Sequence, residues 1–195
     1  MPSSSNLTPE QLLKGYAIGV FPMANSAQDD EVYWVEPEMR GIIPIDGFHT
    51  SRSLKRALDK ADYEITFNTQ FESVVRACAN RKETWINATI FELYQKLHKM
   101  GSAHSIEVNR KNILIGGVYG ISLGTAFFGE SMFSTETNGS KIALAHLVKH
   151  LKQRGFKLFD TQFQNNHLKT LGCVEIPQSL YLQLLKSALI HKVTF

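Results

Sequence analysis

Cysteine is scarce. The 195 residues hold two, Cys78 and Cys173, far apart and in apolar surroundings. That excludes a disulfide framework, a paired-cysteine zinc site and a redox dithiol, and leaves two buried free thiols as the expectation. Long hydrophobic runs are missing as well: none approaches the roughly 18–20 residues that cross a bilayer. The start Met1-Pro2-Ser3-Ser4-Ser5 has neither the basic nor the apolar part of a leader, so a cytoplasmic protein without a membrane partner is expected. Glycine phosphate fingerprints are absent too. Gly116, Gly117, Gly120 and Gly124 fit neither G-x-G-x-x-G nor a P-loop, and Gly139-Ser140-Lys141 has no glycine five residues before Gly139. His146 and His150 stand at a zinc-ligand spacing, but Leu147-Val148-Lys149 between them holds no glutamate, and no metal is expected. Repeats and low-complexity tracts do not occur.

What remains is an ordinary globular composition, 43% apolar and 20% charged, enough for one substantial core with a small appended unit. The net charge of +3 permits an acidic partner without demanding one. Thr8-Pro9-Glu10-Gln11 opens a helix with a capping box and a proline at its first position, ending near Gly15. An apolar turn at Gly19–Met23 and the Tyr33-Trp34 pair before Pro37 predict a loop-rich unit. A short strand over 41–45 and a helix capped by Thr50 or Ser51 follow. On that helix Arg52, Lys55, Arg56 and Lys60 fall along one side. They form either a solvated face or a track for phosphates, which Arg81 and Lys82 extend.

The larger unit begins with a strand at Tyr63–Phe67 and a helix opened by Thr69 with Glu72. A helix over 87–100 stops at Gly101. Strands over 103–108, 113–121 and 125–133 predict an antiparallel meander, with the middle strand's glycines marking a bulge or a close backbone approach. A helix from Ser140 to Arg154 is closed by Gly155, and a short helix, a strand over 173–176 and a terminal helix complete the chain. The expected organisation is α+β, with a small domain over 1–60 and a larger one over 61–195.

Two stretches carry polar groups where burial is otherwise expected. Glu130 sits among Phe127, Phe128, Met132 and Phe133, and Asp160 and Gln162 follow Phe156, Leu158 and Phe159. A buried carboxylate without a partner costs several kcal/mol or gives up its charge. In an extended strand Asp160 and Gln162 share a face, so an acid and an amide look into one space. Alternatively, Asp160 caps a turn.

Nine elements in order resemble the leucyl/phenylalanyl-tRNA-protein transferases: Phe21-Pro22-Met23, Tyr33-Trp34 before Pro37, Ser51-Arg52-Ser53, Thr84-Trp85-Ile86, Ala103-His104-Ser105-Ile106-Glu107, Gly116-Gly117-Val118-Tyr119-Gly120, the Glu130 stretch, Ser140-Lys141 and the Asp160 stretch. The likeness spans roughly Tyr16 to Tyr181, and it implies an acetyltransferase-like mixed-sheet domain behind a small N-terminal one. It implies transfer of Leu or Phe, also Met, from aminoacyl-tRNA to the α-amino group of proteins beginning with Arg or Lys, as a degradation signal. No cofactor is implied, and a monomer is expected.

By the same resemblance Asp160 and Gln162 lie where the acceptor amine loses its proton, Gln162 presenting its carbonyl and Asp160 polarising it or relaying the proton. Glu130 holds the acceptor's cationic side chain or ammonium. Val118, Phe127, Met132, Leu144, Leu147, Leu151 and Phe159 match the donor side-chain pocket, with Ser134 also at the site. Each of these apolar positions also fits a plain core. Trp34 and Trp85 correspond to aromatics at the entrance for the terminal adenosine, and Arg52, Lys55 and Arg56 would hold tRNA. Two departures stand out. Asn109 occupies a position usually held by Trp, and a Gly-Gly-Asp stretch common in longer members is missing. A coenzyme-A-dependent acetyltransferase would need a pyrophosphate loop that Phe133–Lys141 does not supply. A cell-wall aminoacyltransferase would need a longer chain, and a non-catalytic tRNA-binding module is the reading from another class.

Overall fold

A computed structural model describes residues 7–195; the Met1–Ser5 start, taken as lacking a leader, lies outside them. The chain runs through α1 (Pro9–Ala17), β1 (Phe21–Met23), β2 (Tyr33–Val35), β3 (Met39–Ile42), α2 (Arg52–Lys60), β4 (Glu64–Phe67), α3 (Phe71–Ala79) and α4 (Ala88–Lys99). There follow β5 (Ala103–Arg110), β6 (Ile113–Leu123), β7 (Ala126–Ser134), α5 (Gly139–Arg154), β8 (Leu158–Gln162), α6 (Asn166–Lys169), β9 (Val174–Pro177) and α7 (Gln178–Ile190). Among the described residues no helix is long and apolar enough to cross a membrane. Cys78 and Cys173 are free and buried, as expected.

Seven strands form one mixed sheet in the order β4-β5-β6-β7-β8-β3-β9. The meander β5-β6-β7 is antiparallel, whereas β7 and β8 run parallel, which requires the crossover that α5 supplies. Strand alternation divides the core. Tyr119, Ile121 and Phe128 join α1, α3, α4 and α7 on one face. Val118, Phe127 and Phe159 join α2 and α5 on the other. Strand β3 lies inside the first of the two expected units, yet it pairs between β8 and β9 of the larger sheet.

Several local expectations change in detail. The capping box at Thr8 and Gln11 is present, and Ser51, not Thr50, caps α2. Thr69 does not cap α3, whose first turn lacks a side-chain cap; its hydroxyl is drawn instead to the buried Glu107 carboxylate at 3.0 Å. Asn138, in left-handed conformation at φ 69°, precedes α5 in place of Ser140. The apolar turn and the Tyr33-Trp34 segment form a small antiparallel pair, with Pro22 opposite Trp34. Asn109 accepts a hydrogen bond from Gln70 Nε2 at 3.0 Å, a polar contact where a tryptophan would fill space.

The β6 glycines behave as their spacing predicts. The β6–β7 register slips between Tyr119 and Gly120, and a Cβ on Gly116 would meet the Gly139 backbone at 2.4 Å. Gly116 thereby lets the start of α5 rest on the sheet. Gly116→Ala is therefore expected to destabilise the fold by about 1–3 kcal/mol through overpacking, measured as a lowered urea midpoint at unchanged slope; an unaltered midpoint would refute the close approach.

Candidate active site

Strands β7 and β8 pair only at Ala126–Leu158, Phe127–Phe159 and Phe128–Asp160. Beyond that point they part. Gln162 takes a left-handed backbone at φ 64°, which turns β8 away from its neighbour. The wedge between them is a cavity of about 340 Å³, walled by Gly129, Glu130, Ser131 and Met132 on one strand and by Thr161 and Gln162 on the other. Val118, Leu144, Phe159 and Trp85 make its apolar sides. Glu130 is the sole acid among the described lining residues.

Glu130 is buried. Tyr16 Oη donates to its Oε1 at 2.7 Å, Tyr94 Oη to its Oε2 at 2.7 Å, and Gln162 Nε2 to Oε2 at 3.1 Å. The two phenol oxygens also stand 2.7 Å apart. Three short oxygen–oxygen contacts need three protons, and two phenols supply two. A protonated Glu130 completes the ring by donating from Oε1 to Tyr16, whose own proton then turns to Tyr94; an ionised one, accepting from both phenols, leaves the contact between them without hydrogen. Burial pushes the Glu130 carboxyl up to about 7, against the pull of Tyr94, Tyr16 and Gln162. The free site therefore holds Glu130 at the edge between neutral and charged.

Asp160 is 0% exposed and has different partners. Arg40 grips it through Nε at 3.0 and 3.1 Å and Nη2 at 2.7 Å. Tyr181 Oη donates at 2.6 Å, and the Gln162 backbone N–H at 2.7 Å. Arg40 is itself 1% exposed, with Nη1 on the Gly19 carbonyl at 3.0 Å. Its ring neighbours are Phe21 and Tyr181, 4.6 and 4.5 Å from the guanidinium carbon. Cation and donors together satisfy both oxygens of the carboxylate. It bonds the backbone of Gln162, whereas the Gln162 side-chain amide goes to Glu130.

The residues singled out in the sequence thus fall into groups. Glu130 and Gln162 meet in the wedge, and Asp160 stands behind it. Val118, Met132, Leu144, Phe159 and Trp85 line the cavity, while Phe127, Leu147 and Leu151 are fully buried in the core behind them. Ser134 accepts from the Ser140 N–H at 2.7 Å and lines a neighbouring cavity. Trp34 lies against Gly15 of α1 and borders a separate apolar hollow. Arg52, Lys55 and Arg56 are exposed on α2, which Leu54 anchors to the core. His146 meets Tyr63 Oη at 3.3 Å. Tyr16, Arg40, Tyr94 and Tyr181 escaped sequence reasoning, because a tyrosine at a helical core spacing carries no sign that its hydroxyl has a polar target.

Comparison with known proteins bears on both halves of the chain. The family described as leucyl/phenylalanyl-tRNA protein transferase matches residues 42–186, and its N-terminal domain matches residues 5–38. A protein of Cereibacter sphaeroides (strain ATCC 17025 / ATH 2.4.3) named leucyl/phenylalanyl-tRNA–protein transferase is 55% identical over 97% of this chain and 88% of its own length. A protein of the same name from Dinoroseobacter shibae is 52% identical over 97% and 85%. The crystal structure of FemX superposes with a TM-score of 0.56 at 14% identity, covering 91% of this chain and 71% of that one. That likeness speaks for the fold, which is the expected α+β, acetyltransferase-like mixed sheet.

Between the ordinary carboxyl value of 4.5 and about 7, the folded protein binds the Glu130 proton more tightly than the unfolded chain does. Stability from this group is accordingly lost as pH rises through that window. Glu130→Gln, which cannot ionise, is expected to remove that loss. The stability of wild type relative to the variant should fall by roughly 3 kcal/mol across the window, read from urea unfolding at a series of pH values. A difference independent of pH would contradict the protonated ring.

Proposed function

This chain belongs to the leucyl/phenylalanyl-tRNA-protein transferase family and is an aminoacyltransferase; we propose that it moves Leu, Phe or Met from tRNA onto proteins beginning with Arg or Lys, marking them for degradation. The observation that carries the reading is the Gln162–Glu130 bond at 3.1 Å inside a wedge with apolar sides. Because Gln162 gives its Nε2 to Glu130, its Oε1 is left to accept from an incoming amine. Val118, Met132, Leu144 and Phe159 offer an apolar seat for the donor side chain, and Trp85 a surface on which the terminal base stacks. Action as a monomer in the cytoplasm belongs to the same proposal.

The donor ester is already activated, so orienting the amine and removing its proton are the main tasks. An ammonium entering the wedge favours the ionised form of Glu130, which takes a proton from it. The freed amine nitrogen bonds to the ester carbonyl carbon, the bond from that carbon to the ribose oxygen breaks as Glu130 passes its proton to the leaving oxygen, and the carboxylate so regenerated takes the second proton from the nitrogen, leaving a neutral amide. Gln162 holds the nitrogen in line. Asp160, sealed behind Arg40 and Tyr181, is a positioning residue: through the Gln162 backbone N–H it fixes the turn that aims the amide.

Labelled Leu-tRNA mixed with peptides beginning with Arg, Lys, Asp or Ala tests this directly. Label is expected on the first two, with kcat/KM rising through about pH 7 as Glu130 ionises. Glu130→Gln should cost about 10²–10⁴ in rate and flatten that rise. Equal labelling of all four peptides would refute the acceptor assignment, and a retained pH profile in the variant would remove Glu130 as the proton acceptor.

The exposed stripe on α2 is proposed to meet the tRNA backbone. Arg52→Glu with Arg56→Glu should weaken tRNA binding and reduce the slope of log affinity against log salt by about two, with the thermal midpoint unchanged. An unaltered slope would take α2 off the RNA path.

A further inference from the structure

A second cavity of about 420 Å³ adjoins the wedge, sharing Arg81, Met132 and His167 with it. Its character differs. Asn80, Thr135 and Ser140 join Arg81 and His167 in its walls, and none of its described lining residues is acidic. The nearby Glu136 carboxylate is paired with Arg110. Arg81 stands at the junction of the two cavities, with Nη2 donating to Ser131 Oγ at 3.0 Å and to the Met132 carbonyl. Its guanidinium is therefore fastened to β7 at one end while the side chain stays exposed. His167 Nε2 is shielded from water and has no hydrogen-bond partner among the described residues. Lys141 lies close enough to help hold the His167 pKa down, after burial.

We propose that this cavity receives the phosphodiester that joins the terminal nucleotide of the donor RNA to the one before it. The assignment rests on the transferase reading above. An ester held in the wedge puts its ribose at the shared rim, and the phosphate on the far side of that ribose is the next group along the RNA. Arg81 presents a planar fork suited to two phosphate oxygens. Asn80 and the Thr135 and Ser140 hydroxyls add neutral donors, and the unpaired His167 nitrogen gains a partner. Ser140 also sits in the first turn of the 16-residue helix α5, whose end favours an anion. This subsite reads no base. It distinguishes a nucleotide chain from a free aminoacyl nucleoside.

The test compares two small donors, phenylalanyl-adenosine, which has no phosphodiester, and phenylalanyl-cytidylyl-adenosine, which has one. Wild type is expected to prefer the dinucleotide in kcat/KM, and the preference should shrink as salt rises. Arg81→Gln should cut the preference about tenfold, the worth of a charge-assisted hydrogen bond. Asn80→Asp, at an exposed position, should do likewise by placing a negative charge in the cavity. The proposal fails if wild type uses both donors equally, if both variants keep the preference, or if Arg81→Gln lowers the two donors by the same factor. Absence of transfer from the dinucleotide while Phe-tRNA is used would also count against the subsite, whereas absence of transfer from Phe-tRNA itself would instead overturn the transfer reading on which the subsite rests.

Discussion

A guanidinium and a carboxylate, both shut from water, hold the molecule together at the back of the wedge between β7 and β8. Arg40 comes from β3 and Asp160 from β8, while Gly19 and Tyr181 bring in the end of α1 and the start of α7. Burying either charge alone would cost several kcal/mol; together, with further donors on the carboxylate and stacked rings on the guanidinium, they become tolerable. Such a pair adds little net stability over a greasy contact of the same volume, but it accepts one geometry. Four segments far apart in sequence must arrive at one point before the charges are satisfied. That requirement fixes where β8 ends and how Gln162 turns.

Two carboxylates thus sit within one neighbourhood and live under opposite rules. Asp160 has a cation and two further donors. Glu130 has phenols and an amide, none of which carries a full positive charge, so burial dominates and its proton is held to about pH 7. Asp160 is tied to the backbone of Gln162. Glu130, by contrast, has its neutral and charged states nearly balanced close to pH 7.

Much of this was legible in the residues. The β5–β7 meander, the crossover helix and the glycine-marked bulge follow from periodicity and punctuation. Glu130, Asp160 and Gln162 stood out as polar groups in apolar strands. The partners did not. Arg40 follows Glu36-Pro37-Glu38, a run that reads as surface, and Tyr16 and Tyr94 occupy ordinary helical core positions. Only the fold brings their hydroxyls to one carboxylate. Alternation put Asp160 and Gln162 into a single space, but a period of two holds only while the backbone stays extended, and φ of 64° at Gln162 ends it. The donor pocket was read as a broader apolar set than the cavity uses, since strand and helix patterns tell inward from outward and cannot tell lining from the layer behind. Trp34 pairs with Trp85 as an aromatic in sequence and not in space, because Gly15 gives its ring a seat on α1.

The parting of β7 and β8 explains why polar groups collect here. Where two parallel strands stop sharing hydrogen bonds, their backbone groups need other partners, and a ligand with donors and acceptors can supply them. The same parting admits side chains that a closed sheet would exclude, so an acid and an amide reach one another across the gap. The wedge would close if it were not propped. Tyr16 and Tyr94 hold one wall through Glu130, and Arg40 with Tyr181 holds the other through Asp160. The props come from α1, α4, β3 and α7, elements outside the β7–β8 unit they support. The opening is thus a feature of the whole chain, because the angle at which Gln162 faces Glu130 depends on every one of these props.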